Sequence, residues 1–217
     1  PNKTDQENAG YSHDKPVQEA IDEIHAVVDR LANEHIPNGG RVLDLGCGTG
    51  LYLKQFAERE GNYELFGIDI SESMLERAQA NCPNATLRAE DIIDTTFEEG
   101  SFDFIYTIGA INLFGRKRTP HILEKVHKML KPGGMLMISY PHAISLKDCW
   151  YYDITYISYS PKVLERLVSK RFNVKEHFHI LRKEFVGKYD KNPHHNPNSK
   201  WSRSYVNSSI IVAYKEK

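Results

Sequence analysis

The segment that decides the fold reads Val42-Leu43-Asp44-Leu45-Gly46-Cys47-Gly48-Thr49-Gly50. Its apolar first half predicts a short buried strand, and its glycines predict a tight turn directly after that strand. Because glycine has no Cβ, such a turn lets backbone N–H groups approach a ligand closely at the start of the next helix. The segment therefore predicts a nucleotide or cofactor site, and on its own it leaves the identity of the ligand open.

Strand and helix patterns alternate along the rest of the chain. Strands are predicted at residues 41–45, 63–69, 85–89, 102–108, 135–139, 172–180 and 204–214. Helix-start signals precede several of the helical segments between them, namely a capping box at Ser73-x-x-Glu76 and the pairs Thr119-Pro120 and Ser160-Pro161. The residues Lys131–Gly134 are predicted to form a turn before the fifth strand. This pattern predicts an α/β fold, with a doubly wound, mainly parallel seven-stranded sheet, helices on both faces and an antiparallel last strand.

Length and composition narrow the class of protein further. The 217 residues suit a single domain with an N-terminal arm and helix (1–40), a cofactor-binding core (41–140), and substrate-side lid segments with the final strands (141–217). The net charge of −1, from 28 basic and 29 acidic residues, argues against a general nucleic-acid-binding protein.

Cysteine usage and hydropathy favour a cytoplasmic protein. The three cysteines form no CxxC pair, so neither a disulfide framework nor a zinc site is expected. No apolar run reaches the ~20 residues of a membrane helix, so no membrane partner is expected. The chain also shows no signal-peptide pattern.

Two cofactors fit the glycine turn. A dinucleotide-binding fingerprint reads GxGxxG and places an acidic residue about 20 positions further on. Here the spacing is GxGxG, and Asp69 at the end of the second predicted strand stands at roughly that separation. A carboxylate in this place suits either cofactor, since both carry an adenosine ribose with two hydroxyls.

Several segments taken together resemble the class I S-adenosylmethionine-dependent methyltransferases. The segments are Val42–Gly50, Gly67–Ser71 with Met74, Leu75 and Ala78, Glu90–Ile92, Phe102–Ile105 and Leu130–Leu136. They occur in the order and spacing of that family, and the resemblance covers residues 15–180. It implies the strand order 3-2-1-4-5-7-6 and S-adenosylmethionine as the cofactor.

The resemblance also implies roles for individual residues. Asp44 and the carbonyl groups around the glycine turn would hold the amino acid part of the cofactor, which carries an ammonium group. Asp69 would accept both ribose hydroxyls, Ile70 would pack on the adenine face, and Asp91 would accept from the adenine amino group. Further members of the predicted cofactor site are Gly46, Cys47, Gly48, Gly50, Met74, Ile92, Ile108 and Tyr11.

Methyl transfer from a sulfonium is an in-line displacement, which needs alignment and exclusion of water more than a strong catalyst. A hydroxyl acceptor also needs a base to take its proton. His142 is the leading candidate, because it follows a parallel strand at the cofactor edge of the sheet. Asn112, after the fourth strand, is predicted to orient the acceptor or the cofactor, and no metal ion is expected.

The acceptor is encoded less clearly than the cofactor. The segment Asp153–Pro161 resembles bacterial methyltransferases of sugars and other small metabolites, although Tyr156 stands where those enzymes usually carry histidine. This favours a small molecule methylated at oxygen. Basic residues at 116–118 and 181–203 point to an anionic acceptor, and the aromatic side chains at Trp150–Tyr159 are candidates for its pocket. N-methylation, an RNA or protein acceptor, an NAD-linked reaction and a non-catalytic binding module remain as alternatives, and the oligomeric state stays open.

Overall fold

The structure is a computed structural model that describes residues 15–141, 149–151, 154–156, 159–180 and 208–216. The helices are α1 (Lys15–His35), α2 (Leu51–Ala57), α3 (Glu72–Asn81), α4 (Thr119–Met129) and α5 (Pro161–Val168), with a 3₁₀ turn at Ile111–Leu113. The strands are β1 (Arg41–Leu45), β2 (Glu64–Asp69), β3 (Thr86–Ala89), β4 (Phe102–Ile108), β5 (Leu130–Pro141), β6 (Cys149–Tyr151), β7 (Ile154–Tyr156), β8 (Asn173–Ile180) and β9 (Ser208–Tyr214).

Seven of these strands form one sheet in the order β3-β2-β1-β4-β5-β9-β8. Strands β3, β2, β1, β4 and β5 pair in parallel, whereas β9 is antiparallel to both of its neighbours. Counting only the strands of this sheet, the order is 3-2-1-4-5-7-6 with the last strand reversed. The predicted fold class is therefore confirmed.

Two apolar layers cover the two faces of the sheet. One layer packs α1, α2 and α3 against Val42, Phe104, Tyr106 and their neighbours. The other layer packs α4 and α5 against Leu43, Ile105 and the residues next to them in the sheet. Because each fully buried large side chain contributes about 1.5–3 kcal/mol, these two layers stabilise the sheet whose carboxyl edge carries the candidate site. Within the described residues, no helix combines the length and the apolar character needed to cross a membrane.

The start of α3 differs from the prediction. The helix begins at Glu72, and the carbonyl of Ser71 accepts the N–H groups of Met74 and Leu75, each at 3.1 Å. The capping box predicted at Ser73-x-x-Glu76 is therefore wrong. The Asp69 carboxylate accepts the N–H of Ser71 and so turns the chain into the helix two residues earlier.

The fifth strand is longer than predicted. It starts at Leu130 and includes Lys131–Gly134, which were expected to be a separate turn. The N–H of Gly133 donates to the carbonyl of Lys215 at 3.0 Å, and the N–H of Lys215 donates to that of Gly134 at 2.9 Å. Lys215, directly after β9, thus pairs with Gly133 and Gly134. A local sequence pattern cannot predict this contact, because the two segments are far apart in the chain.

A two-stranded hairpin lies outside the main sheet. Strands β6 and β7 pair antiparallel, with Cys149 opposite Tyr156. The prediction treated this region only as lid segments and missed the hairpin. The hairpin packs against the 3₁₀ turn after β4 and so lies at the carboxyl edge of the sheet.

Candidate functional site

The glycine turn joins the carboxyl ends of β1 and β2. The N–H groups of Gly46 and Cys47 both donate to the carbonyl of Ile68, at 2.8 and 3.0 Å. The N–H of Gly48 donates to Asp69 Oδ2 at 2.9 Å. The turn is therefore held against the end of β2 by three backbone donors.

Two of the glycines are required by close packing. A Cβ on Gly46 would come within 2.5 Å of the Ala110 Cβ, and one on Gly50 would come within 3.0 Å of the Ala78 Cβ. The turn thus lies between the segment after β4 and helix α3. Gly48 is different, because a Cβ there would meet nothing within 4 Å. The open space beside Gly48 is where a ligand can approach the backbone.

Asp69 has acceptor capacity left for a ligand. Its Oδ2 accepts the N–H of Gly48, and its Oδ1 accepts the N–H of Ser71 at 3.0 Å. Each carboxylate oxygen can accept two hydrogen bonds, so both oxygens can still take a ligand hydroxyl. The two backbone donors fix the orientation of the carboxylate, which suits the predicted contact with a ribose.

Ile70 is an exposed apolar side chain beside this carboxylate. It is 78% exposed, whereas most other large apolar side chains of the described residues are buried. Its position directly after Asp69, at the end of β2, fits the prediction that it packs on an adenine face.

Asp91 follows the end of β3, the strand that pairs with β2, and forms an ion pair that the sequence did not reveal. The N–H of Glu90 donates to the Asp69 carbonyl at 3.2 Å, which brings the two acidic segments together. Both Asp91 carboxylate oxygens contact the Arg118 guanidinium, and Oδ1 also accepts the N–H of Ile93 at 3.0 Å. Partial burial raises the pKa of Asp91, but the Ile93 N–H and Arg118 outweigh it, so the net pKa is lowered. Asp91 is therefore an ionised acceptor whose orientation Arg118 holds.

Asp44 is buried beneath the turn. It is 2% exposed, and burial raises its pKa well above the usual range, while the nearby Tyr106 hydroxyl lowers it and the Asp69 carboxylate raises it. The Cys47 thiol has a strongly raised pKa for the same reason, burial first and then the charges of Asp44 and Asp69. Cys47 is therefore a protonated packing residue and no nucleophile.

The other predicted site residues of the described chain lie at the same edge. Asn112 is in the 3₁₀ turn after β4 and is 3% exposed. Ile92 is buried, whereas Ile108 at the end of β4 and Met74 in α3 are half-buried. The structure thus brings the predicted cofactor residues of β1, β2, β4 and the segment after β3 to one edge.

Two predicted residues lie outside the described residues. They are Tyr11, predicted to cover the cofactor, and His142, predicted as the base. The connection 181–203 lies outside them entirely. Among the residues that the structure describes, no group of three or more histidine, cysteine, aspartate or glutamate side chains could hold a metal ion.

Comparison with known proteins identifies the fold unit. Residues 42–134, slightly less than half of the chain, match the family described as "Methyltransferase domain". Residues 42–134 are a class I S-adenosylmethionine-dependent methyltransferase domain. The match begins at the first strand of the glycine motif and ends at Gly134, so it contains every described cofactor-site candidate.

Individual relatives agree with this assignment of the methyltransferase domain. The chain is 27% identical to a demethylmenaquinone methyltransferase of Oceanobacillus iheyensis over 74% of its own length and 69% of the relative. It is 30% identical to the 2-methyl-6-phytyl-1,4-hydroquinone methyltransferase of Synechocystis. That match covers 60% of this chain and 42% of the relative. The N-methyltransferase NodS of Bradyrhizobium japonicum, solved with S-adenosylhomocysteine, has the same fold, with a TM-score of 0.68, 14% identity and coverage of 95% of this chain and 90% of NodS.

Arg116, within the methyltransferase domain, and Tyr159, after it, form protein contacts that the sequence did not reveal. Tyr159, a predicted pocket residue, is buried in the core, and its hydroxyl lies 2.8 Å from the Thr119 hydroxyl. Arg116, predicted to bind an anionic acceptor, stacks over the Tyr159 ring at 5.5 Å from the centroid. With Arg118 paired to Asp91, two of the three basic side chains at 116–118 already have protein partners.

Proposed function

We propose that the chain transfers the methyl group of S-adenosylmethionine to a small-molecule acceptor, at a hydroxyl oxygen. One observation carries the proposal: Asp69, which can accept further hydrogen bonds, is followed by the exposed Ile70, and the Gly48 backbone that Asp69 contacts has open space beside it. One carboxylate for a ribose diol and one apolar face for an adenine are what this cofactor requires. The bound cofactor supplies an electrophilic methyl group on a sulfonium.

The protein's own residues bind and orient the reacting groups. Asp69 accepts the ribose hydroxyls, Ile70 covers one adenine face, and Asp91, held by Arg118, accepts from the adenine amino group. Asp44 pairs with the ammonium of the methionine part. Asn112, in the 3₁₀ turn after β4, orients the nucleophile.

The acceptor class is supported by the names of the relatives. Demethylmenaquinone, a phytyl hydroquinone and trans-aconitate are the acceptors in the names of curated relatives, and all are small molecules. The segment Asp153–Pro161, with its likeness to small-metabolite methyltransferases, favours oxygen. A proton must then leave the acceptor hydroxyl, and we propose His142 as the base that takes it.

Thermal melts with ligands test the cofactor assignment. A ligand at 100 times its dissociation constant adds about 2.7 kcal/mol to the free energy of unfolding. We expect such a shift with S-adenosylmethionine and S-adenosylhomocysteine and none with NADH. A shift with NADH alone would mean that the chain is an NAD-linked enzyme.

Transfer of labelled methyl from S-adenosylmethionine tests the acceptor. The acceptor panel contains hydroquinones, sugars, hydroxy acids, phosphorylated metabolites, primary amines, bulk RNA and bulk protein. We expect label only on hydroxyl-bearing small molecules, and loss of that label in His142→Ala with unchanged cofactor affinity. Label on RNA, protein or amines would refute the acceptor assignment, and tight cofactor binding with no label anywhere would indicate a binding module.

A further inference from the structure

The hydroxyl of Tyr106 is a buried polar group that the fold does not explain. Tyr106 is 0% exposed, and among the described residues its oxygen has no hydrogen-bond partner. Its ring stacks on Phe56 at 5.8 Å between centroids, a contact that phenylalanine would make equally well. A buried hydroxyl without a partner destabilises a protein, so the oxygen needs a reason beyond packing.

The strand register places this hydroxyl beside Asp44. Tyr106 on β4 is opposite Asp44 on β1, and paired residues of parallel neighbours point to the same face of a sheet. On the other flank, Asp44 is opposite Gly67, which has no side chain. A Cβ at Gly67 would come within 2.9 Å of the Cys47 sulfur. Tyr106 is therefore the polar neighbour that the flanking strands provide for Asp44.

Within the part of the chain that the structure describes, the charged groups acting on Asp44 are acids. The groups that influence the titration of this pair are Tyr106, Asp69, Cys47 and Tyr52, and none of them carries positive charge. A buried carboxylate is stable only with a compensating partner. The turn at Gly46 begins two residues after Asp44, so a cation entering with a ligand at the turn can supply that partner.

We propose that Tyr106 is a positioning residue that orients the Asp44 carboxylate toward the ammonium group of the cofactor's methionine part. The strand register places Tyr106 opposite Asp44, and its hydroxyl is close enough to lower the pKa of the Asp44 carboxyl. When the ligand ammonium binds, the carboxyl releases its proton to solvent, and the hydroxyl donates to one carboxylate oxygen and leaves the other oxygen to the ammonium. This inference rests on the proposed function, since it assumes that the cofactor binds at the turn.

Two ligands separate this role from a structural one. S-adenosylhomocysteine carries the ammonium, whereas 5′-methylthioadenosine has the same adenosine and sulfur without the amino acid. Calorimetric titration of Tyr106→Phe is expected to show about tenfold weaker binding of S-adenosylhomocysteine, the usual effect of one lost hydrogen bond to a charged group. Binding of 5′-methylthioadenosine is expected to be unchanged.

Tyr140→Phe is the matched control. Tyr140 is also a fully buried tyrosine in the sheet, but it lies on the opposite face, with its oxygen 3.3 Å from His177 Nε2. This variant is expected to bind both ligands like the wild type. Because the Tyr106 hydroxyl has no partner to lose, ligand-free Tyr106→Phe is expected to melt no lower than the wild type.

Each result has a distinct meaning. If Tyr106→Phe weakens binding of both ligands equally, Tyr106 only shapes the site. If it leaves binding of both unchanged, the hydroxyl makes no contribution to ligand binding. Either result overturns the positioning role while leaving the proposed function intact. A wild-type protein that binds neither ligand overturns the proposed function and this inference with it.

Discussion

Three aspartates at the carboxyl edge of the sheet are chemically distinct because their neighbours differ. Asp69 accepts two backbone N–H groups and keeps acceptor capacity for hydroxyls. Asp91 is paired with Arg118, and Asp44 is buried beside Tyr106. One side-chain type thus provides a hydroxyl acceptor, an oriented anion and a buried carboxyl that needs a cation.

Replacing Asp69 by alanine is expected to weaken binding of S-adenosylhomocysteine by ~1–3 kcal/mol, the value of charge-assisted hydrogen bonds. Calorimetric titration measures the change. Asp103→Ala is the control, because Asp103 lies at the opposite edge of the sheet, where it accepts the N–H of Arg41 at 2.9 Å and pairs with Lys131 at 2.7 Å. The control is expected to lose stability and to keep ligand affinity. Equal affinities for Asp69→Ala and wild type would refute the ribose contact.

The raised pKa of Asp44 predicts a pH dependence of cofactor binding. The carboxyl must be ionised to pair with the ligand ammonium, so affinity for S-adenosylhomocysteine should fall as pH drops through the raised pKa of Asp44. The fall should begin at a higher pH than an ordinary aspartate would give. Titrations across pH measure it, with 5′-methylthioadenosine as the ligand that should show no such dependence.

Asp44→Asn tests the same group through stability. The pKa of Asp44 is higher in the folded than in the unfolded chain. The Asp44 carboxyl therefore lowers the free energy of unfolding more and more as pH rises above the pKa that it has in the unfolded chain. We expect the ligand-free variant to melt higher than the wild type at neutral pH and to bind S-adenosylhomocysteine more weakly. A lower melting temperature at neutral pH would contradict the assigned pKa direction.

At the scale of elements, the glycine turn is a packed junction between two other parts of the fold. Gly46 contacts Ala110 after β4, and Gly50 contacts Ala78 in α3. The Asn81 amide also donates to the Thr49 carbonyl at 2.9 Å, which ties the end of α3 to the turn. Closely packed glycines and the open position at Gly48 therefore alternate along the turn.

Gly46→Ala and Gly48→Ala separate these two kinds of contact. Both positions have positive φ, 77° and 52°, so both variants should lose about 1–2 kcal/mol from backbone strain. Gly46→Ala additionally drives a Cβ against Ala110 and is expected to lose at least 1 kcal/mol more, as overpacked sites do. Chemical denaturation measures the difference, and equal losses would show that the turn is not packed against Ala110.

The element predictions succeeded where the signal was local. The strand predicted at residues 102–108 is β4, which lies between β1 and β5. The start of α3 and the length of β5 were wrong, because Asp69 and Lys215 set them from other parts of the chain. The β6–β7 hairpin was missed, since three-residue strands carry too little periodicity to recognise.

At the scale of the whole molecule, polar side chains connect α1 to the segment after α2 and to β8. The Arg59 side chain in the segment after α2 contacts both Asp29 and Asn33 of α1. Arg30 pairs with Glu176 of β8 at 2.6 Å. These contacts hold the element that directly follows the N-terminal arm, whose Tyr11 is proposed to cover the cofactor.

Arg59→Ala is expected to loosen α1. The side chain of Arg59 is only 16% exposed and leaves two polar partners behind, so we expect a loss of about 1–3 kcal/mol. Hydrogen exchange should rise in residues 21–35 and stay unchanged in β1 and β4. Lys54→Ala is the control, since its pair with Glu58 at 3.7 Å is exposed and worth at most ~0.5 kcal/mol. Unchanged exchange in Arg59→Ala would show that the Arg59 contacts do not hold α1.

The sequence by itself determined the glycine turn, the alternation of strands and helices, and the acidic residues at the strand ends. These features are local, because they depend on backbone freedom, on hydrophobic period and on position within one element. Only the tertiary structure decided that Arg118 holds Asp91 across 27 positions of sequence and that Tyr106 stands opposite Asp44. Such pairs follow from the strand register and the packing of helices on the sheet, which bring together side chains whose separation along the chain carries no periodic signal.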